Sequence, residues 1–332
     1  VSMTLRKKLI LILLAVAICP MLFVGTLGYF SARTALENLR MGALRSITDQ
    51  KAKMIEDFFS DQKHHVQIAQ QRPTIKKYTA MLSGPEVDFS SPAYEAIRME
   101  LDRALKIYLP VYDYANVMLA NPQGRIVYVL NSYSGLEDMD RTLPEPWPKA
   151  FIEGKKGIYL SDVFRSRYEA GRYSLYITAP VHNFDGRFVG VLALEFDMAP
   201  IFALVQNLTG MGETGETVIA RKEGDAALFL NPLRYDPDAA LKRKDVFGQN
   251  QAIPIQEALK GKAGHGITID YRGQKVIAVW RSMPLLNWGI VAKLDVSEAY
   301  GPATKLRDFV LVLVVAVILL SIFLAIIVAK SI

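Results

Sequence analysis

The run Leu160-Ser161-Asp162-Val163-Phe164-Arg165-Ser166-Arg167-Tyr168 places two guanidinium groups and a carboxylate within a few residues of each other. An arginine side chain is a planar fork that grips a carboxylate through paired hydrogen bonds. Arg165 or Arg167 is therefore the candidate receiver of a carboxylate ligand, with Asp162 taking a donor from the same molecule. Tyr128, Trp147, Tyr173 and Tyr176 are the candidate aromatic walls. The competing reading makes both arginines solvated loop charges. Tyr176 and Thr178 fall on one face of their strand and Leu175, Ile177 and Ala179 on the other, because side chains alternate along a strand. Parity alone leaves open which face meets a ligand.

Other chemistry finds no footing. The four histidines, His64, His65, His182 and His265, pair with no cysteine and form no HExxH pattern, so no metal site is expected. Asp138 and Asp140 sit in a polar loop and read as a solvated turn rather than an acid–base pair. No nucleophile elbow, phosphate loop or dinucleotide fingerprint is present. The segment is thus expected to need no cofactor and to carry no catalysis, which counts against an anchored extracytoplasmic enzyme.

The elements that must position these residues follow from composition and periodicity. Apolar residues make up 51% of 332, concentrated at the two ends. Leu9–Tyr29 and Phe309–Val328 are each about 20 residues of nearly unbroken apolar sequence, enough to cross a ~30 Å hydrocarbon core. A cleaved signal peptide is the alternative for the first, although its run exceeds a usual signal core. Arg6, Lys7 and Lys8 place the N-terminus in the cytoplasm by the positive-inside rule. Residues 31–307 are then expected outside a bacterial inner membrane, with the chain returning inside as the input half of something longer. Basic and acidic residues interleave through the middle at a net charge of +6, so no nucleic-acid partner is expected. The single cysteine, Cys19, lies in the first apolar block, so the external part must hold together by its core alone.

From Ser31 to Leu82 apolar residues recur at three- and four-residue spacing and predict one long helix, kinked or restarted at Pro73. A second helix is predicted over Tyr94–Leu109. Strands are predicted at Tyr114–Ala120, Arg125–Asn131, Gly157–Ser161, Tyr173–Val181 and Arg187–Phe196, with a short helix at Trp147–Glu153. Asp185-Gly186 marks a hairpin. The pattern then repeats: a helix at Met198–Leu208, strands at Thr217–Arg221 and Leu228–Leu230, and a polar loop from Asn231 to Gln251. A helix at Ile253–Leu259 and strands at Gly266–Tyr271, Gln274–Arg281 and Trp288–Lys293 complete it. Lys149–Gly157 parallels Gln256–Gly264, Ala179-Pro180-Val181 parallels Met283-Pro284-Leu285, and Gly190–Asp197 parallels Gly289–Asp295. This is an internal duplication.

A membrane-leaving helix carrying two duplicated α/β units resembles the double Cache region of bacterial receptors. The resemblance rests on Ile177-Thr178-Ala179-Pro180-Val181 with Asp185-Gly186-Arg187-Phe188-Val189-Gly190, and on Gly212-Glu213-Thr214-Gly215-Glu216-Thr217. It implies an α+β fold: a long N-terminal helix, two PAS-like antiparallel modules and two flanking transmembrane helices. The expected divisions are 1–30, 31–92, 93–197 (membrane-distal module), 198–300 (membrane-proximal module) and 301–332. The resemblance places a small-molecule pocket in the distal module, bordered by the Arg165–Arg167 run. The family's amino-acid motif falls on Met139, Pro144, Pro146 and Trp147. Only the aromatic is kept and the clamping arginine is missing, which argues against an amino-acid ligand. Implied parents are histidine kinases, chemoreceptors or diguanylate cyclases. Ile55-Glu56-Asp57-Phe58-Phe59 looks most like the kinase branch, and Lys330-Ser331-Ile332 resembles the run-in to a HAMP linker. Expected partners are a small organic ligand, the bilayer and a second copy of the chain. A scaffold that binds only a protein partner is the remaining alternative.

Overall fold

The computed structural model of the chain describes residues 5–109, 114–130, 139, 141–166 and 171–331. Helix α1 runs unbroken from Leu5 to Gln70, so the first apolar segment and the long external helix are one rod. Gly42 does not interrupt it. The chain turns at Gln71-Arg72 and restarts as α2, Pro73–Met81, where Pro73 opens the new helix because it cannot continue the old one. Helix α3, Pro92–Leu105, begins where the Ser91 hydroxyl accepts the Tyr94 N–H and Pro92 takes the first turn.

The first module is a sheet ordered β2-β1-β6-β5-β3, with β4 also paired to β5. Its strands are β1 (Tyr114–Ala120), β2 (Ile126–Val129), β3 (Tyr159–Leu160), β4 (Phe164–Arg165), β5 (Tyr173–His182) and β6 (Phe188–Asp197). Helix α4, Trp147–Gly154, covers one face, while α1 and α2 pack on the other. Helix α5, Ala199–Gln206, leads onward. The second sheet is ordered β10-β11-β12-β7-β8-β9. Its strands are β7 (Glu216–Glu223), β8 (Ala226–Phe229), β9 (Lys244–Val246), β10 (Gly264–Ile269), β11 (Lys275–Met283) and β12 (Trp288–Asp295). Helix α6, Ile253–Leu259, covers one face and α1 the other. The duplication is thereby visible as topology, since β8-β7-β12-β11-β10 repeats β2-β1-β6-β5-β3. Two short strands escape the sequence pattern. β4 has two residues, and β9 is a three-residue edge inside the predicted polar loop, where cross-strand pairing rather than side-chain alternation makes the strand.

Rod and modules share one core. Ala52, Ile55, Phe59, Val66 and Ala69 form the buried stripe of α1. The Phe59 ring stands edge-on 6.0 Å from Phe196 of the first sheet and 5.7 Å from Trp288 of the second. Lys51, one turn ahead of Ile55 and 7% exposed, donates to the Val205 and Asn207 carbonyls at the end of α5 and to the Thr217 hydroxyl on β7. After the short helix α7, Val296–Ala299, helix α8 runs from Gly301 to Ser331 beside α1. The two meet closely enough that a methyl at Gly25 would lie 2.6 Å from a Val310 methyl.

Candidate ligand site

The first sheet divides the sequence-predicted residues between its two faces. Trp147 and Tyr176 meet on the α4 face, ring centroids 5.6 Å apart and edge-on, and Phe164 packs 4.6 Å from Tyr176. Trp147 opens α4 and is fully buried, its indole N–H donating to the Gly124 carbonyl at 3.2 Å. Helix α4 approaches β5 closely because Gly154 has no side chain: a Cβ there would lie 2.4 Å from the Thr178 hydroxyl. Thr178 donates to the Ala150 carbonyl, so the Tyr176 and Thr178 face is the one α4 covers.

Tyr128 and Tyr173 lie on the opposite face, with α1, α2 and α3. The Tyr128 hydroxyl donates to Asp102 Oδ1 at 2.7 Å, and burial together with that carboxylate pushes its pKa far above the ordinary phenol range. Arg165 follows Tyr173: its guanidinium lies 5.3 Å over the Tyr173 ring and donates to the Tyr173 hydroxyl at 3.0 Å. Tyr173 in turn reaches the Ala240 carbonyl of the second module. Asp162 sits at the rim, 3.4 Å from Lys149 and 3.8 Å from Arg221 of the second module. The Asp162 carboxylate holds the Lys149 ammonium above its usual range. Arg167 lies outside the described residues. Hence the structure brings Trp147, Tyr176 and Asp162 to the α4 side, sends Arg165 and Tyr173 toward the module junction, and leaves Tyr128 across the sheet from Trp147 and Tyr176.

Three polar residues that sequence reasoning passed over share the α4 face. Glu195 on β6 is 4% exposed and pairs across the sheet with Asn116 on β1 and Tyr176 on β5. Ser174 pairs with Asp197, is fully buried, and its hydroxyl has no hydrogen-bond partner. Buried polar groups are normally paired, so the unpartnered Ser174 hydroxyl on an aromatic-walled face is the mark of a binding surface. The signal was present in the sequence: Glu195 interrupts the apolar run Phe188–Phe196 at an alternation position shared with Val191 and Ala193. Among the described residues no three His, Cys, Asp or Glu side chains are placed to hold a metal ion.

Two PAS-like modules strung on one rod, with a polar, aromatic-walled face under the first module's helix, define a sensor domain of the double Cache class. Residues 32–303 match the Cache domain family in this double form, and the chain belongs to that family. Among solved structures it is similar to the sensory domain of the Campylobacter jejuni chemoreceptor Tlp3, at 12% identity and a TM-score of 0.52, over 81% of this chain and 98% of that one. It is similar also to the ligand-binding domain of the Pseudomonas fluorescens chemoreceptor CtaA in complex with L-isoleucine, at 15% identity and a TM-score of 0.50, over 82% and 99% of the two chains. At these identities the likeness is one of fold. No curated protein matches the chain. A Cache region between two helices long and apolar enough to cross a membrane is the layout of a membrane-anchored extracytoplasmic sensor.

Proposed function

We propose that this chain is the input region of a two-pass inner-membrane receptor that binds a small carboxylic acid on the α4 face of its first module. The carrying observation is the buried polar floor of Asn116, Ser174 and Glu195 beneath the Trp147, Tyr176 and Phe164 rings. Arg165 is engaged by Tyr173, so Arg167 is the remaining candidate for the carboxylate. The unpartnered Ser174 hydroxyl can pair with a second polar group of the ligand, which makes a hydroxy- or amino-substituted acid the fitting class. Binding tightens the first module. The change passes through Asp162–Arg221 and Tyr173–Ala240 into the second module and on to α8. A sensor histidine kinase output is favoured by the Ile55–Phe59 run, and a chemoreceptor or diguanylate cyclase would use the same input. A homodimer seam along α1 and the divisions near 92, 197 and 300 belong to the same reading.

The test is a thermal-shift screen of the full chain in detergent against hydroxy acids, simple carboxylates, amino acids, amines and sugars. A ligand at 100 times its Kd stabilises by about 2.7 kcal/mol. A hydroxy- or amino-acid hit that is lost in both Arg167→Ala and Glu195→Gln supports the proposal. A hit that survives both substitutions, or no hit from the folded protein, refutes it, and the second outcome favours a protein partner.

A further inference from the structure

The duplication allows the two modules to be compared position by position. β6 and β12 each run from a glycine to an aspartate, Gly190 to Asp197 and Gly289 to Asp295, and Glu195 and Lys293 each stand two residues before that aspartate. Their cross-strand partners correspond: Glu195 faces Asn116 and Tyr176, and Lys293 faces Glu216 and Ala278. Both point to the face covered by the equivalent short helix, α4 in one module and α6 in the other. At the position where the first module holds a carboxyl group, the second therefore holds an ammonium.

That ammonium is surrounded as a bound ligand would be. Lys293 is 2% exposed, its Nζ donates to Asp270 Oδ2 at 2.5 Å and lies 3.0 Å from Glu216 Oε2. The Tyr271 ring lies 4.5 Å from the nitrogen, and the Tyr271 hydroxyl donates to Glu216 at 3.0 Å. Arg272 Nε donates to the same Asp270 oxygen at 2.6 Å. Two carboxylates and an aromatic face around one nitrogen are the chemistry that recognises a primary amine. The cavity left beside it is about 20 Å³, room for roughly one water.

We propose that the second module contains an amine-binding site on the plan of the first module's site, permanently filled by the chain's own Lys293. The second module is thereby locked in a ligand-bound form and acts as a fixed relay, while the first stays free to respond. The latent ligand class is a primary alkylammonium.

Lys293→Ala in the full chain removes three carbons and the nitrogen, a space matched by n-propylammonium. The expected result is a Tm lowered by about 6–20 °C, as when one partner of a buried pair is lost. Propylammonium should then restore it in a saturable manner. Tetramethylammonium and sodium at equal ionic strength should not, and wild type and Lys293→Met should gain nothing from propylammonium. Lys293→Met fills the space without the charge, and it should melt below wild type by a similar amount. Absence of selective rescue in a folded Lys293→Ala protein overturns the proposal. So does a Lys293→Met protein that melts with wild type, which decides the matter should Lys293→Ala not fold.

Discussion

Among single residues, Lys51 is a buried cation held by neutral groups. It is buried against two carbonyls, a hydroxyl and a thioether, with no carboxylate partner among the described residues, and burial lowers its pKa from 10.5 to about 8. A lysine whose folded pKa is depressed releases its proton earlier when folded than when unfolded. The unfolded state then binds more protons between about pH 8 and 10.5, so the residue's contribution to stability rises across that window. Denaturant titrations at pH 7, 9 and 10.5 should show the rise in wild type and a flatter profile in Lys51→Met. Equal slopes in the two proteins would show that the ammonium is solvated. Its position matters for signalling as well, because Lys51 ties the rod to the connector α5 between the modules.

Among elements, the loop ahead of β7 is the joint between the second module and α8. The Glu298 carboxylate on α7 accepts the backbone N–H groups of Glu213 and Thr214 at 2.8 and 2.7 Å and the Thr214 hydroxyl at 2.5 Å. Gly212 has φ +74, and a Cβ there would lie 2.2 Å from Glu298 Oε1, so the loop needs a glycine at that position to close on the carboxylate. Burial raises the Glu298 pKa, but these hydrogen bonds outweigh it and the net shift is downward. A depressed carboxyl pKa contributes stability that is present above its ordinary value and lost as pH falls through the folded one. Glu298→Gln should cost about 1–3 kcal/mol at neutral pH, and less in acid. Chemical denaturation at pH 7 and pH 4 measures it, and a cost unchanged between the two would remove the carboxylate from the account. Two residues on, the Tyr300 hydroxyl donates to Glu37 at 2.6 Å and Arg33 lies over its ring, fastening the start of α8 to α1.

At the scale of the whole molecule, α1 and α8 are two stiff rods joined to one sensor, so a small shift of the second module relative to α1 becomes a shift of one span against the other. A ligand moves that balance only by binding one arrangement more tightly than the other. The proposed two-pass topology predicts that a cysteine introduced at Phe184, a 69% exposed position in the first module's hairpin, reacts with a membrane-impermeant maleimide in intact cells. Cys19 within the first span should stay unlabelled. Labelling of Phe184→Cys only after lysis would place the Cache region on the wrong side.

Length, apolar runs and periodicity determined the two helices long and apolar enough to cross a membrane, the rod broken at Pro73 and the duplicated order of strands and helices, while the double Cache class was legible through the resemblance of the Ile177–Gly190 and Gly212–Thr217 motifs. These are local or repeating signals: spacing reports amphipathic faces, and Gly, Pro and Asp punctuate turns wherever they fall. The site was legible only in part. Trp147, Tyr176 and Asp162 were legible as candidates but not as neighbours, and it is the fold that puts them on the α4 side. Tyr128 and Arg165 could not be placed from sequence, because neighbouring strands and strand parity assign a side chain to one of two faces without saying which helix covers it. Glu195 and Lys293 look like ordinary charges in strands. Only the folded register shows them to be equivalent positions carrying opposite charge, because cross-strand pairing is a long-range contact that no local pattern encodes.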